Sequence, residues 1–182
     1  MRKIILNLAV SLDGFIEGPN GEYDWCFNDQ DYGMGEFLES VDAIFIGRKS
    51  YDMVSADTSM FPVEKVYVFS DSLTDESHNA NVELVTSAHF DEVVERVMNA
   101  DGKNIWLFGG AQLVTALLNK GLVNTLILSI HPIILGAGKQ LFKDIADRVE
   151  LILTDQQSFP TGLLQVTYTL KPKFDMAMLD LL

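Results

Sequence analysis

Three short segments combine glycine, hydroxyl and basic residues in a pattern that suits the binding of a phosphate group. They read GRKS at 47–50, SDS at 70–72 and FGGAQL at 108–113. Glycine lets the backbone approach a ligand closely, Arg and Ser supply hydrogen-bond donors, and the start of a helix adds free N–H groups. Arg48 and Lys49 stand at the predicted start of a helix, where positive charge is unfavourable because of the helix dipole. Basic residues at this position therefore favour a bound anion.

Each of these segments also has a purely structural interpretation. The glycine pair 109–110 fits a tight strand-to-helix turn, the basic pair 48–49 fits a solvated surface, and the SDS hydroxyls taken alone favour turn or cap roles. What the segments share is their position at the end of an apolar run that predicts a buried strand, namely DAIFIG (42–47), KVYVFS (65–70) and NIWLFG (104–109). The C-terminal ends of parallel strands lie along one sheet edge, where ligands bind in open α/β folds.

A second group of candidates follows the first predicted strand, KIILNLAVSL at 3–12. Asp13 is a candidate substrate contact, or a residue that simply shapes the turn after this strand. Trp25 suits a lid or stacking position beside a ligand, and it suits a buried core position equally well. Asp31 is a candidate proton donor, while its place near the start of a helix predicted over 30–41 also suits an N-cap.

No metal site or activated nucleophile is predicted. The histidines have no partner at metal-ligand spacing, and Cys26 is the only cysteine of the chain. No segment carries the G-x-S-x-G pattern of a nucleophile elbow. Because a single cysteine permits no intrachain disulfide, we expect a reducing, cytoplasmic location.

The composition narrows the class of partner. The chain has 182 residues, 48% of them hydrophobic, which suits one domain with a substantial core. Acidic residues outnumber basic ones by 26 to 13, and the resulting formal net charge of -13 opposes binding to nucleic acid. No apolar run approaches the roughly 20 residues needed to cross a bilayer, so no membrane partner is expected.

Helices are predicted between the strands over most of the chain. The clearest one follows the short strand VELVT (82–86) and has Ser87 as its predicted N-cap. Its apolar stripe has helical spacing and consists of Phe90, Val93, Val94, Val97 and Met98. Another helix is predicted over 111–120, with Gly121 as its C-terminal stop.

The last third of the chain has a different pattern. One long strand is predicted over 123–135, interrupted by Pro132, and two further strands, 148–159 and 163–171, form a hairpin around PTG. Strands that alternate with helices are typical of a parallel sheet, whereas a hairpin pairs antiparallel. The sequence therefore predicts a three-layer α/β fold whose central, mostly parallel sheet has an antiparallel edge at the C-terminal hairpin.

Several longer segments occur in an order that belongs to a known family. They are LAVSLDGFIEGPNG, IFIGRKSYD, VYVFSDS and IWLFGGAQLVTALLNKGLVNTLILSIHPIILGAGKQLF, followed by the hairpin. Over residues 2–171 the chain resembles the dihydrofolate reductase-like superfamily. It is most similar to the branch that contains the reductase domain of the bifunctional riboflavin-biosynthesis deaminase-reductase. The resemblance implies one such domain over 1–172, followed by an apolar tail at 173–182.

The resemblance also implies an activity. Members of this branch transfer hydride from NADPH to a small molecule that is pterin-like or ribosylamino-pyrimidine-like, such as 5-amino-6-(5-phosphoribosylamino)uracil. Val10 and Ile16 match the positions that flank the nicotinamide ring, and Asp31 matches the substrate-binding carboxylate of dihydrofolate reductases. The positions that match the cofactor phosphate and ribose contacts are Gly47, Arg48, Lys49, Ser50, Ser70, Asp71, Ser72, Phe108, Gly109, Gly110, Ala111, Gln112 and Leu113.

Two of the positions that match cofactor contacts depart from the family pattern. Asp71 and Gln112 stand where a basic residue would help to hold the 2′-phosphate of NADPH, which leaves Arg48 and Lys49 as the main cations and makes NADH an alternative cofactor. A nucleotide-binding sensor or interaction protein without reductase chemistry is the competing function. The resemblance implies a homodimer, and the apolar tail at 173–182 is expected to pack on the core or on a partner subunit.

Overall fold

A central β-sheet with helices on both faces makes up the computed structural model, which describes residues 1–54, 63–73 and 80–171. The strands of this described part are β1 (Ile4–Ser11), β2 (Phe15–Glu17), β3 (Val41–Gly47), β4 (Lys65–Phe69), β5 (Val82–Val85), β6 (Asn104–Gly109), β7 (Val123–His131), β8 (Lys139–Gln140), β9 (Leu151–Ser158) and β10 (Leu164–Leu170). Its helices are α1 (Met34–Glu39), α2 (Arg48–Val54), α3 (Phe90–Asn99) and α4 (Ala111–Asn119). His78 and the tail 173–182 lie outside the described residues.

The main sheet has eight strands in the order β5-β4-β3-β6-β1-β7-β10-β9. From β5 to β7 all neighbours are parallel, whereas β10 runs antiparallel to both β7 and β9. A separate two-stranded ladder joins β2 and β8. The predicted mixed sheet with an antiparallel C-terminal edge is therefore confirmed.

Successive side chains of the central strands pack alternately into two apolar layers, one on each face of the sheet. Ile4 and Leu6 of β1 pack in the cluster formed with α3 and α4, and Ile5 packs in the cluster formed with α1 and α2. This alternation follows from the two-residue period of a strand that is covered on both faces. The apolar stripe predicted for α3 is confirmed, since its valines and Met98 are buried in the first cluster.

Two predicted helix starts are wrong. The helix predicted from residue 30 begins at Met34, because Tyr32 (φ 52°) and Gly33 (φ 80°) have left-handed backbone conformations that a right-handed helix cannot include. The helix predicted to be capped by Ser87 begins at Phe90. Residues 87–89 instead form a short 3₁₀ turn, and no side chain in the part of the chain that the structure describes makes the cap hydrogen bond to α3.

The predicted strand over 123–135 is shorter in the structure. β7 ends at His131, because Pro132 lacks the N–H group that would continue the ladder. Gly121 takes a left-handed conformation (φ 68°) directly after the C-cap of α4, as a C-terminal stop does. Among the described residues, no helix is long and apolar enough to span a membrane.

Candidate functional site

A cleft of about 1270 Å³ opens at the C-terminal ends of β3, β4 and β6. GRKS, SDS and residues 110–113 of the FGGAQL segment line it, so all three segments predicted to bind phosphate meet at the C-terminal ends of the strands. The β2–β8 ladder and the loops beside it form another part of the wall. The lining residues used below are Glu17, Gly47, Arg48, Lys49, Ser50, Ser70, Asp71, Ser72, Gly110, Ala111, Gln112, Leu113, Lys139, Lys143 and Asp144.

At the junction between β6 and α4, two glycines leave the backbone beside the cleft without side chains. Gly109 has a φ of 124°, which favours glycine, and the Gly109–Gly110 peptide is cis. A methyl group placed on Gly47 would lie 3.5 Å from the Gly110 nitrogen, and one placed on Gly110 would lie 3.2 Å from Ser50 Oγ. A side chain on Gly110 would therefore crowd Ser50 of α2, whereas a methyl group on Gly47 would make an ordinary van der Waals contact.

No side chain of the described residues caps the N-terminus of α4. Gly110 occupies the N-cap position, and the first turn contains no acidic residue. The first N–H groups of a helix have no partner within it, and they carry the positive end of its dipole. This end of α4 can therefore donate hydrogen bonds to an anion in the cleft.

Arg48 is held in place by two neighbours. Its Nε donates to both carboxylate oxygens of Asp52, at 2.9 and 2.8 Å, and its Nη1 donates to Ser72 Oγ at 3.1 Å. Ser70 Oγ in turn accepts hydrogen bonds from the backbone N–H groups of Ser72 and Leu73. The guanidinium thus reaches from the start of α2 to the end of β4.

Asp71 is engaged by the backbone. Its Oδ1 accepts a hydrogen bond of 2.7 Å from the N–H of Ser87. Ser87, which was predicted to cap α3 with its side chain, therefore has its backbone bonded by the Asp71 carboxylate instead. This contact joins the segment after β4 to the 3₁₀ turn that precedes α3.

The charge around the cleft differs from that of the whole chain. Among the described residues, four cations line it together with three carboxylates, namely Arg48, Lys49, Lys139 and Lys143 with Glu17, Asp71 and Asp144. The chain as a whole has twice as many acidic as basic residues. Sequence reasoning missed Lys139 and Lys143, and the glycine-rich GAGK motif (136–139), which ends at Lys139, was the one available signal.

The remaining predicted site residues do not line this cleft. Val10 is buried within the sheet, where it pairs with Ile130, and Ile16 packs against the same apolar layer. Phe108 packs on the ring of Trp106 at 5.0 Å between centroids. Gly109, Asp13, Trp25 and Asp31 are also outside the lining, and their roles toward a ligand stay predictions.

Asp13 ties two loops together. Its Oδ1 accepts hydrogen bonds from Ser11 Oγ (2.7 Å) and Leu135 N (3.1 Å), and its Oδ2 accepts one from Gly136 N (2.8 Å). These hydrogen bonds, that of Ser11 foremost, lower the pKa of the Asp13 carboxyl. Such contacts fit the turn-shaping interpretation of Asp13 better than the role of substrate contact.

Asp31 acts at the start of α1. Its Oδ1 accepts a hydrogen bond of 3.0 Å from the N–H of Gly35, as a capping carboxylate does, although Gly33 occupies the N-cap position. The Asp31 side chain is exposed, so the carboxylate keeps access to solvent. The alternative interpretation of Asp31 as a cap therefore fits, and it leaves one carboxylate oxygen without a bond within the described residues.

Trp25 lies on a buried histidine. The Trp25 and His131 rings pack edge to face, with 5.3 Å between centroids and 82° between planes. His131 Nε2 accepts a hydrogen bond from Phe27 N (3.1 Å), and its Nδ1 lies 3.0 Å from the carbonyl oxygen of Ser129, to which it donates. Burial lowers the pKa of His131, outweighing the hydrogen bond to Ser129. The neutral ring thus anchors the loop that carries Trp25.

Comparison with known proteins gives consistent matches. A family model described as the RibD C-terminal domain matches residues 2–165. The protein YyaP of Bacillus subtilis (strain 168) is 41% identical over 180 residues, which cover 92% of this chain and 94% of YyaP.

Two solved structures share the fold. One is a Shewanella sp. PV-4 protein provisionally named as a riboflavin biosynthesis protein, with a TM-score of 0.80, 28% identity, and coverage of 94% of this chain and 100% of that one. The other is dihydrofolate reductase from Enterococcus faecalis complexed with NADP(H) and RAB-propyl, with a TM-score of 0.67, 15% identity, and coverage of 93% and 97%. At 15% identity this second likeness shows the fold alone.

We expect the stability of the protein to fall in mild acid because of His131. A histidine with a lowered native pKa stabilises the fold above its ordinary pKa, and this contribution is lost as pH falls from about 6.5 through the native value. Urea unfolding followed by tryptophan fluorescence should show this slope for the native chain, and His131→Gln should flatten it. The exposed His89→Gln variant should keep it, and an unchanged slope in His131→Gln would contradict the assignment.

Proposed function

Because the chain belongs to the RibD C-terminal domain family, we propose that it is a reductase that takes hydride from a nicotinamide dinucleotide, NADPH by preference. The observation that carries this proposal is the meeting of GRKS, SDS and GGAQ in one cleft at the uncapped start of α4. The membership supports a reductase-type activity, while the choice of cofactor and substrate is our inference.

The described residues fit a dinucleotide. The cleft volume of about 1270 Å³ exceeds the roughly 300–1,000 Å³ of usual small-molecule sites, which suits an elongated ligand. The N–H groups of Ala111, Gln112 and Leu113 are available for the diphosphate. Arg48 and Ser72 together offer donors to a phosphate on the adenosine ribose.

The nicotinamide ring, once bound, supplies the hydride. The substrate class that we propose is a pterin-like ring or a ribosylamino-pyrimidine, in which a C=N bond is reduced. The carbon would gain a hydride and the nitrogen a proton, with bound NADPH as the two-electron donor. The chain fixes the two reactants beside the end of β1, and Asp31 or an ordered water delivers the proton.

A turnover assay tests the proposed function. Purified protein should oxidise NADPH only when a pterin or a ribosylamino-pyrimidine is added, and the reduced product should appear in equal amount by mass spectrometry. Binding of NADPH without turnover on either substrate class would contradict the proposal and favour a nucleotide-binding sensor. Absence of binding to NADPH and NADH would remove both functions.

Arg48 should determine the cofactor preference. We expect Arg48→Ala to weaken NADPH binding about tenfold, because a charge-assisted contact to the 2′-phosphate is lost, and to weaken NADH binding far less. Dissociation constants from calorimetry measure both effects. Arg148→Ala, which removes an exposed arginine outside the cleft, is the matched control. Equal losses for NADPH and NADH would rule out this role of Arg48.

We also propose that the protein is a homodimer. The edge strand β9 exposes all of its residues, and Leu151, Ile152 and Leu153 are 39, 49 and 48% exposed. Apolar side chains on a sheet edge that no described residue covers favour association. Light scattering at micromolar concentration should give a dimer that Ile152→Lys converts to a monomer, while Ile134→Lys leaves it intact. A monomeric native chain would contradict this proposal.

A further inference from the structure

Glu17 and Lys139 form an ion pair in the wall of the cleft. They face each other in the β2–β8 ladder, and Lys139 Nζ lies 3.1 Å from Glu17 Oε1. The neighbouring Gly138 fixes this approach, because a methyl group there would come within 2.1 Å of the carbonyl oxygen of Glu17. Only glycine lets the two strands pair this closely, so the backbone holds Lys139 beside Glu17.

The ammonium group of Lys139 also lies beside the start of α4. A methyl group built on Gly110 would be 3.8 Å from Lys139 Nζ. A lysine at the positive end of a helix dipole is unfavourable unless a negative charge is near. In this structure the Glu17 carboxylate supplies that charge, and both side chains remain partly exposed to the cleft, at 32% for Lys139 and 24% for Glu17.

We propose that Lys139 is a specificity-determining contact to the diphosphate of the dinucleotide, and that Glu17 competes with this diphosphate for the ammonium group. The inference rests on the proposed function, which supplies the ligand class. A lysine side chain is flexible and acts as a point charge, so its ammonium group can pass from Glu17 to an anion at the start of α4. A diphosphate carries more negative charge than one carboxylate and therefore competes better than a monoanion does.

Opposite effects of the two residues distinguish this proposal from a structural role. If the ion pair only held β2 against β8, breaking it from either side would change ligand binding in the same direction. If Glu17 competes with the ligand, its neutralisation strengthens binding, whereas neutralisation of Lys139 weakens it. Once Lys139 is neutral, Glu17 has little left to compete for, so the effects of the two substitutions are coupled.

The experiment compares Glu17→Gln, Lys139→Gln and the double variant with the native chain. Calorimetry with NADPH, ADP and adenosine 2′-monophosphate gives the dissociation constants, and thermal unfolding verifies that each variant is folded. Matched controls are Glu150→Gln and Lys171→Gln, which make the same charge changes in an exposed ion pair outside the cleft.

We expect Lys139→Gln to weaken NADPH and ADP binding about tenfold, and Glu17→Gln to strengthen both about threefold. The double variant should behave like Lys139→Gln, and the controls like the native chain. Adenosine 2′-monophosphate, which lacks a diphosphate, should bind all variants within about twofold of the native chain. The salt dependence of NADPH binding should be weaker in Lys139→Gln than in the native chain.

Three results would overturn the inference. Equal weakening by both single substitutions would indicate a structural ion pair, and equal loss for adenosine 2′-monophosphate would place Lys139 elsewhere on the ligand. If Lys139→Gln bound NADPH as tightly as the native chain, Lys139 would not contact the diphosphate, and the reductase proposal would be unaffected. Conversely, the expected affinities without turnover on either substrate class would support this inference and refute the proposed reaction.

Discussion

The parallel pairing of β3 with β4 and β6 determines the position of the proposed dinucleotide site. These strands are covered on both faces, and their register brings Gly47 level with Phe69 on one side and close to Gly109 on the other. The three polar segments that follow the strands therefore share one edge. The close approach of Gly47 to Gly110 then places the start of α2 beside the start of α4.

The balance of charge in the cleft is opposite in sign to the net charge of the whole chain, because cations outnumber carboxylates among the lining residues. A net charge of -13 would repel a phosphate at long range, yet screening limits that field to about 8 Å at physiological ionic strength. Within the cleft the uncapped helix start and the nearby cations dominate, and Asp52 and Ser72 hold Arg48 in place among them. Local donors can thus bind an anion in a strongly acidic protein.

The sequence predicted the sheet and the convergence of its three polar segments, because buried strands and their terminal glycines are local signals. It missed Lys139, since an antiparallel pairing with Glu17, 122 residues away along the chain, brings this residue to the cleft. Long-range ladders of two or three residues have no periodic signal. The predicted start of α1 was wrong because Tyr32 has a left-handed backbone conformation. A bulky residue rarely adopts this conformation, so the sequence does not predict that the helix begins only after it.

Amide hydrogen exchange with and without NADPH tests the central claim most directly, because it locates the ligand without substitution of any residue. We predict that NADPH slows exchange in residues 47–50, 70–72 and 110–113, with the largest effect at the start of α4. Protection confined to residues 100–104, at the N-terminal end of β6, or no protection at saturating NADPH, would contradict the account.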